Sequence, residues 1–164
     1  NRFLMKKINL GTSALLFEDI NQLSDDDQTL MKFAVKATKG AYAPYSKFSV
    51  GAALLMEDDT IITGNNQENA AYPSGMCAER VAIWKASSSF PNKKVKKIAI
   101  AAISSNKKLD RPVGPCGACR QTLFEYEVKQ GKDVEVIFMG EVGSVVKTPS
   151  IASLLPFSFD SSYL

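Results

Sequence analysis

The sequence predicts an α/β layered domain with parallel crossovers, and three observations carry that expectation. Helix-like and strand-like segments alternate in the order helix, two strands, helix, strand, helix, strand, helix. The segment Val95 to Ile103 is rich in Val, Ile and Ala and is long enough only for a buried strand. The 164 residues are 45% hydrophobic, which fits one core better than two.

Taken in order, residues 1–23 read as an N-terminal extension in which Phe3 to Leu10 forms a strand or an arm, and residues 24–164 as the main domain. From Ser24 to Lys39, Leu30, Phe33, Ala34 and Ala37 recur at helical spacing. Ser24 is the expected N-cap, Asp25 to Asp27 fill the first turn and Gly40 is the stop. Phe48 to Met56, an acidic turn and Ile61 to Thr63 predict a β-hairpin. After the loop Asn65 to Gly75, Cys77 to Ser87 turns helical. A further helix is expected to open at Pro115, where a proline at the first helical position costs no hydrogen bond. Val134 to Met139 reads as a strand and Pro149 to Leu155 as a short final helix.

Charge and composition exclude several function classes. The net charge of +3 is too small an excess to mark a nucleic-acid or anionic-membrane surface. The one dense basic cluster, Lys93, Lys94, Lys96 and Lys97, lacks the interleaved aromatics of a single-strand track and reads as a solvated strand end. No apolar run approaches the ~20 residues of a membrane span, and the first ten residues have no signal-peptide core. There is no histidine, which removes Ser-His-Asp, Cys-His and His-ligated metal chemistry. Three cysteines argue against a secreted disulfide framework and for a reducing compartment. A soluble, cytoplasmic protein is expected.

The cysteines carry the chemistry. Cys116 and Cys119 stand three residues apart in the first turn of one expected helix, and Cys77 opens the preceding one. Helix N-termini favour thiolates. If the two helices are neighbours, the three thiols converge. Free cysteines are otherwise small buried hydrophobes, but three at helix starts fit a thiolate metal site better. Zn²⁺ suits sulfur and tetrahedral geometry, and without a fourth Cys or any His the simplest site keeps one position open for catalysis. Glu79 lies two residues beyond Cys77, where a carboxylate can take a proton from water and return it to a leaving group. A carboxylate opposing the helix dipole is the plainer account of Glu79.

Cys77-Ala78-Glu79-Arg80 and Pro115-Cys116-Gly117-Ala118-Cys119-Arg120-Gln121 resemble the small homotetrameric cytidine deaminases, within the broader zinc deaminase signature. The similarity extends from Tyr42–Phe48, through Asn66–Tyr72, to Leu154–Pro156 and Phe159. It implies a three-layer α/β/α sandwich with a central mixed β-sheet. It also implies a cyclic-amidine hydrolase that deaminates cytidine and 2′-deoxycytidine in pyrimidine salvage, with one zinc per subunit of a homotetramer. Residue by residue, the resemblance assigns Cys77, Cys116 and Cys119 to zinc and Glu79 to the proton shuttle. Ala78, through its N–H, would meet the base's 2-carbonyl, Phe48 would pack on the ring, and Asn66 and Glu68 would bind the ribose 3′-hydroxyl. Arg80 and Gln121 would donate to the ligand sulfurs, drawing off the surplus negative charge of three thiolates. Tyr72 and Phe159 would complete a neighbouring subunit's pocket. Asn65 departs from the small residue common there, and residues 1–23 have no placed counterpart.

Three other readings share parts of this pattern. An aminonucleoside-antibiotic deaminase would lack the Asn66/Glu68 pair. A polynucleotide deaminase would need a basic, aromatic-studded groove. In a non-enzymatic zinc-stabilised binding module, Glu79 would close the site as a fourth ligand.

Overall fold

Helix α1 (Asp25–Ala37) starts at the expected cap: the Ser24 hydroxyl accepts from the Asp27 N–H at 3.3 Å, and three aspartates fill the first turn. Its buried face is Leu30, Met31 and Ala34, each large side chain contributing about 1.5–3 kcal/mol. Phe33, expected on that face, is 40% exposed, because the buried stripe runs through Met31 instead. The computed structural model describes residues 6–164.

The hairpin forms as β2 (Phe48–Met56) and β3 (Ile61–Asn65), followed by α2 (Ala78–Ser89) and β4 (Val95–Ser104). Then come α3 (Gly117–Gln130), β5 (Glu135–Met139) and β6 (Val145–Thr148). With β1 (Leu15–Phe17) they give a six-stranded mixed sheet in the order β1-β6-β5-β4-β2-β3. β4 and β5 are parallel, with Ile98 opposite Val136, and α3 makes the crossover between them. β2 runs antiparallel to both β3 and β4, so the β3-α2-β4 crossover also joins strands of one direction.

Strand alternation sorts the core into two layers. Ala52, Leu54, Ile98, Ile100, Val136 and Phe138 face α2 and α3, whereas Ala53, Ala99, Ala101, Ile137 and Met139 face α1. The sandwich is therefore the expected α/β/α one.

Several expectations at the ends of elements need correction. The strand expected at Phe3 to Leu10 begins outside the described residues, and Lys6 to Leu10 carry no strand; the extension pairs further on, Leu16 opposite Val146. β6 has no counterpart among the expected elements, since four residues between Gly143-Ser144 and Pro149 carry little periodic signal. The final helix is a 3-10 turn, Ala152–Leu154. α3 begins at Gly117 with Cys116 as its N-cap, so Pro115 stands just outside the helix. No helix among the described residues is long and apolar enough to cross a membrane.

One buried acid ties three strands to α1. The Asp27 carboxylate, 4% exposed, meets the ammonium groups of Lys97 on β4 at 2.6 Å and Lys147 on β6 at 2.7 Å, and Glu135 on β5 lies 3.1 Å from both. Burial alone would raise its carboxyl, but the two lysines outweigh that and hold it below the ordinary aspartate value. A carboxyl depressed in the folded state adds stability that is present above its unfolded value near 3.8 and is lost as pH falls through the folded value. Asp27→Asn should lower unfolding free energy by about 3 kcal/mol, the low end for breaking a buried ion pair, because Glu135 still holds both lysines. Denaturant melts at pH 7 and pH 3 check it: the gap between variant and parent should shrink at the lower pH.

Candidate metal centre and cleft

The centre depends on bringing two helix starts together. At Gly64 on β3, an added Cβ would lie 2.5 Å from Ala82 N and 2.6 Å from the Ala78 carbonyl, so only glycine lets α2 settle this closely on the hairpin. Gly51 does the same for α1 on the opposite face, where a Cβ would lie 2.0 Å from the Ala34 carbonyl.

Cys77 is the N-cap of α2 and Cys116 the N-cap of α3, and neither side chain makes a capping bond. Ser, Thr, Asp or Asn normally caps a helix; here the thiols turn to one another. The sulfurs of Cys77, Cys116 and Cys119 all lie within 4.8 Å, with Cys116 and Cys119 3.5 Å apart. Thiolates at ~2.3 Å from a tetrahedral zinc stand ~3.8 Å apart, so the donor set and its spacing fit that ion. Among the described residues this is the one group of three or more candidate metal ligands.

The Arg80 guanidinium donates to Cys77 Sγ at 3.3 Å, and its buried Nε has no partner among the described residues. The Cys77 thiol is held down to about 5, chiefly by the hydrogen bond from Cys119 and then, against burial, by Arg80. Cys119 is pushed up by that same bond, by burial and by the negative charges around it. Glu79 is buried in the first turn of α2, and desolvation raises its carboxyl above the ordinary glutamate value. Ala78 occupies the first helical position, where a backbone N–H has no partner within the helix and is free for a ligand.

Gln121 departs from expectation. Its amide donates to the Phe159 carbonyl at 2.9 Å rather than to a sulfur, because two residues along a helix from Cys119 place it on a different face.

A cleft of about 850 Å³ opens over the thiols and is lined by Phe48, Asn66, Glu68, Tyr72, Cys77, Glu79, Arg80 and Cys116. Asn66 braces its wall, accepting from Val50 N at 2.7 Å and donating to the Phe48 carbonyl at 2.9 Å, with one N–H and one lone pair of the amide left over. Glu68 Oε2 accepts from the backbone N–H groups of Tyr45 at 2.9 Å and Ser46 at 3.2 Å; bonds to Ser46 lead in holding its carboxyl below the ordinary value. Tyr72 sits on the rim, 91% exposed. Phe159 lies outside this cleft, half exposed and stacked on Tyr163 at 5.6 Å between ring centroids.

Sequence reasoning gave no role to Tyr45, Ser46, Val50, Met76, Val113 and Gly114, which also line the cleft. Tyr45 and Ser46 serve through main-chain N–H groups, which leave no trace in residue type. Met76 was discoverable from its place beside Cys77.

Comparison with known proteins agrees with this geometry. Residues 24–132 match the model for the cytidine and deoxycytidylate deaminase zinc-binding region. The chain is 42% identical over 134 residues to the cytidine deaminase of Halalkalibacterium halodurans, covering 82% of this chain and 94% of that one. It is 41% identical over 139 residues to that of Sporosarcina psychrophila, covering 85% and 95%. The crystal structure of cytidine deaminase from Burkholderia pseudomallei superposes with a TM-score of 0.69 at 36% identity, covering 80% of this chain and 97% of that one.

Gly64→Ala should push α2 off the hairpin, costing about 1–3 kcal/mol as overpacking does, and should lower bound zinc by moving Cys77. Thermal melts together with elemental analysis test this; full metal content in a destabilised variant would separate the glycine from the site.

Proposed function

Because the chain belongs to the cytidine and deoxycytidylate deaminase family, we propose that it hydrolyses the exocyclic amine of cytidine and 2′-deoxycytidine, giving uridine or 2′-deoxyuridine and ammonia. The observation that carries this reading is Glu79, a buried carboxyl lining the same cleft as three converging thiols. A zinc ion held by Cys77, Cys116 and Cys119 supplies Lewis acidity that activates water as a nucleophile. Glu79 accepts the proton of the water that adds to C4, delivers it to N3 of the pyrimidine, and then passes the hydroxyl proton to the departing amine. Its raised affinity for protons suits a group that must both take and return them.

The remaining contacts position the base. The Ala78 N–H meets the 2-carbonyl, the Phe48 ring packs on the pyrimidine, and Asn66 and Glu68 bind the ribose 3′-hydroxyl. Arg80 offsets the negative charge of the thiolates. The presence of both Asn66 and Glu68 on the cleft favours an ordinary nucleoside over an aminonucleoside antibiotic. A polynucleotide substrate is disfavoured because Lys93, Lys96 and Lys97 of the dense basic cluster are paired with Asp58, Asp59 and Asp27.

Assembly belongs to the same reading: residues 24–164 are the catalytic domain, residues 1–23 an extension, and the working unit is a cytoplasmic homotetramer in pyrimidine salvage. Phe157, Phe159, Tyr163 and Leu164 are exposed on the single chain, more apolar surface than a terminus ordinarily leaves open, and Tyr72 stands bare on the cleft rim. Phe159 and Tyr72 would complete a neighbouring subunit's site.

Glu79→Gln should keep its zinc and lose deamination of cytidine by about 10²–10⁴-fold, read in an ultraviolet assay beside elemental analysis. Loss of zinc along with activity would make Glu79 a ligand and favour the binding-module reading. Deleting the chain from Phe157 onward should lower both the mass seen by light scattering and the activity while largely retaining zinc. A fully active monomeric parent would remove the interface role.

A further inference from the structure

Arg120 follows Cys119 in α3, and three of its hydrogen bonds end on main-chain carbonyls. Its Nε donates to the Pro115 carbonyl at 2.8 Å, its backbone N–H to the Cys116 carbonyl at 2.9 Å, and its Nη1 to the Leu154 carbonyl at 2.9 Å. The first two carbonyls belong to the peptide planes on either side of the Cys116 Cα. Cys116 needs such a constraint, since as N-cap it is extended, with φ −67° and ψ 165°, joins the helical ladder through its carbonyl alone and makes no capping bond from its thiol. The helix's own hydrogen bond fixes the plane after Cys116, and the Arg120 guanidinium fixes the plane before it, so the direction of the Cys116 Cα–Cβ bond depends on that side chain at the Pro115 carbonyl. The third bond fastens the chain at the 3-10 turn Ala152–Leu154 to the same guanidinium.

We propose that Arg120 is a positioning residue whose side chain aims the Cys116 thiol at the metal by holding the peptide plane before Cys116 through the Pro115 carbonyl and tying it to the C-terminal segment through the Leu154 carbonyl. The inference rests on the zinc site proposed above. A planar guanidinium fork serves two carbonyls at fixed spacing, which a lysine ammonium cannot. The role therefore separates from simple charge neutralisation: charge alone would be restored by lysine, aim would not.

The test uses the zinc-loaded full chain in competition with a chromophoric chelator at a temperature well below the melt. Arg120→Ala should weaken zinc retention about 10–100-fold, the range found when a group supporting a ligand is removed. Arg120→Lys should recover only part of this, and in it kcat for cytidine should fall while KM changes little. If the alanine variant fails to fold, the lysine variant decides alone. Parental zinc affinity in Arg120→Lys, or in an Arg120→Ala protein whose melt alone has dropped, would overturn the role. A parent chain that takes up no zinc would overturn the metal site as well.

Discussion

The close seating of α2 on the hairpin is the constraint from which the rest of the centre follows. A side chain at residue 64 would force the helix outward; with glycine there, Ala78 and Ala82 rest against β3. Ala78, Ala82 and Ala86 repeat at every fourth position along α2, so the small residues form a flat face that lets the helix lie close along its length. The N-terminus of α2 is thereby brought beside that of α3, which the parallel pairing of β4 and β5 has already fixed. Two helix dipoles, both positive ends inward, then face a common point, and the three cysteines occupy the positions that look into it.

Electrostatics at that point are tightly interdependent. The Cys77 thiol is held low by the hydrogen bond from Cys119 and by Arg80, whereas Cys119 is pushed up by that same bond and by burial. A divalent ion bound there would take all three as thiolates. Burial, with the Cys77 charge beside it, raises the Glu79 carboxyl above its ordinary value. The same crowding that holds a soft metal thus prepares a neighbouring acid for proton traffic.

Much of this was legible because the decisive residues have distinctive chemistry. Cys77, Cys116, Cys119 and Glu79 stand out by type and spacing alone, and α1 is announced by Ser24, three aspartates and a helical stripe. The misreadings fall where side-chain pattern carries little information. β6 is four residues long and pairs through its backbone, and β1 joins it as a three-residue edge strand. Gln121 was aimed at sulfur by analogy, but the C-terminal segment, invisible to local pattern, offered its amide the Phe159 carbonyl. Arg120 sits inside the strongest motif in the chain, yet its partners are carbonyls that no residue type reveals.

The pairing of β1 with β6 has a consequence for the order in which the molecule is made. Leu15 to Phe17 find their partners at Val145 to Lys147, and the Thr12 hydroxyl donates to the Ser153 carbonyl, 141 residues away. Closing so long a stretch costs more chain entropy than any pairing within the α2–β4–α3 region. A ribosome must also deliver Lys147 before β1 has its partner strand. The cysteine-bearing helices can assemble on their own strands before that pairing closes, so the docking of β1 on β6 is the step that can follow the building of the chemical centre.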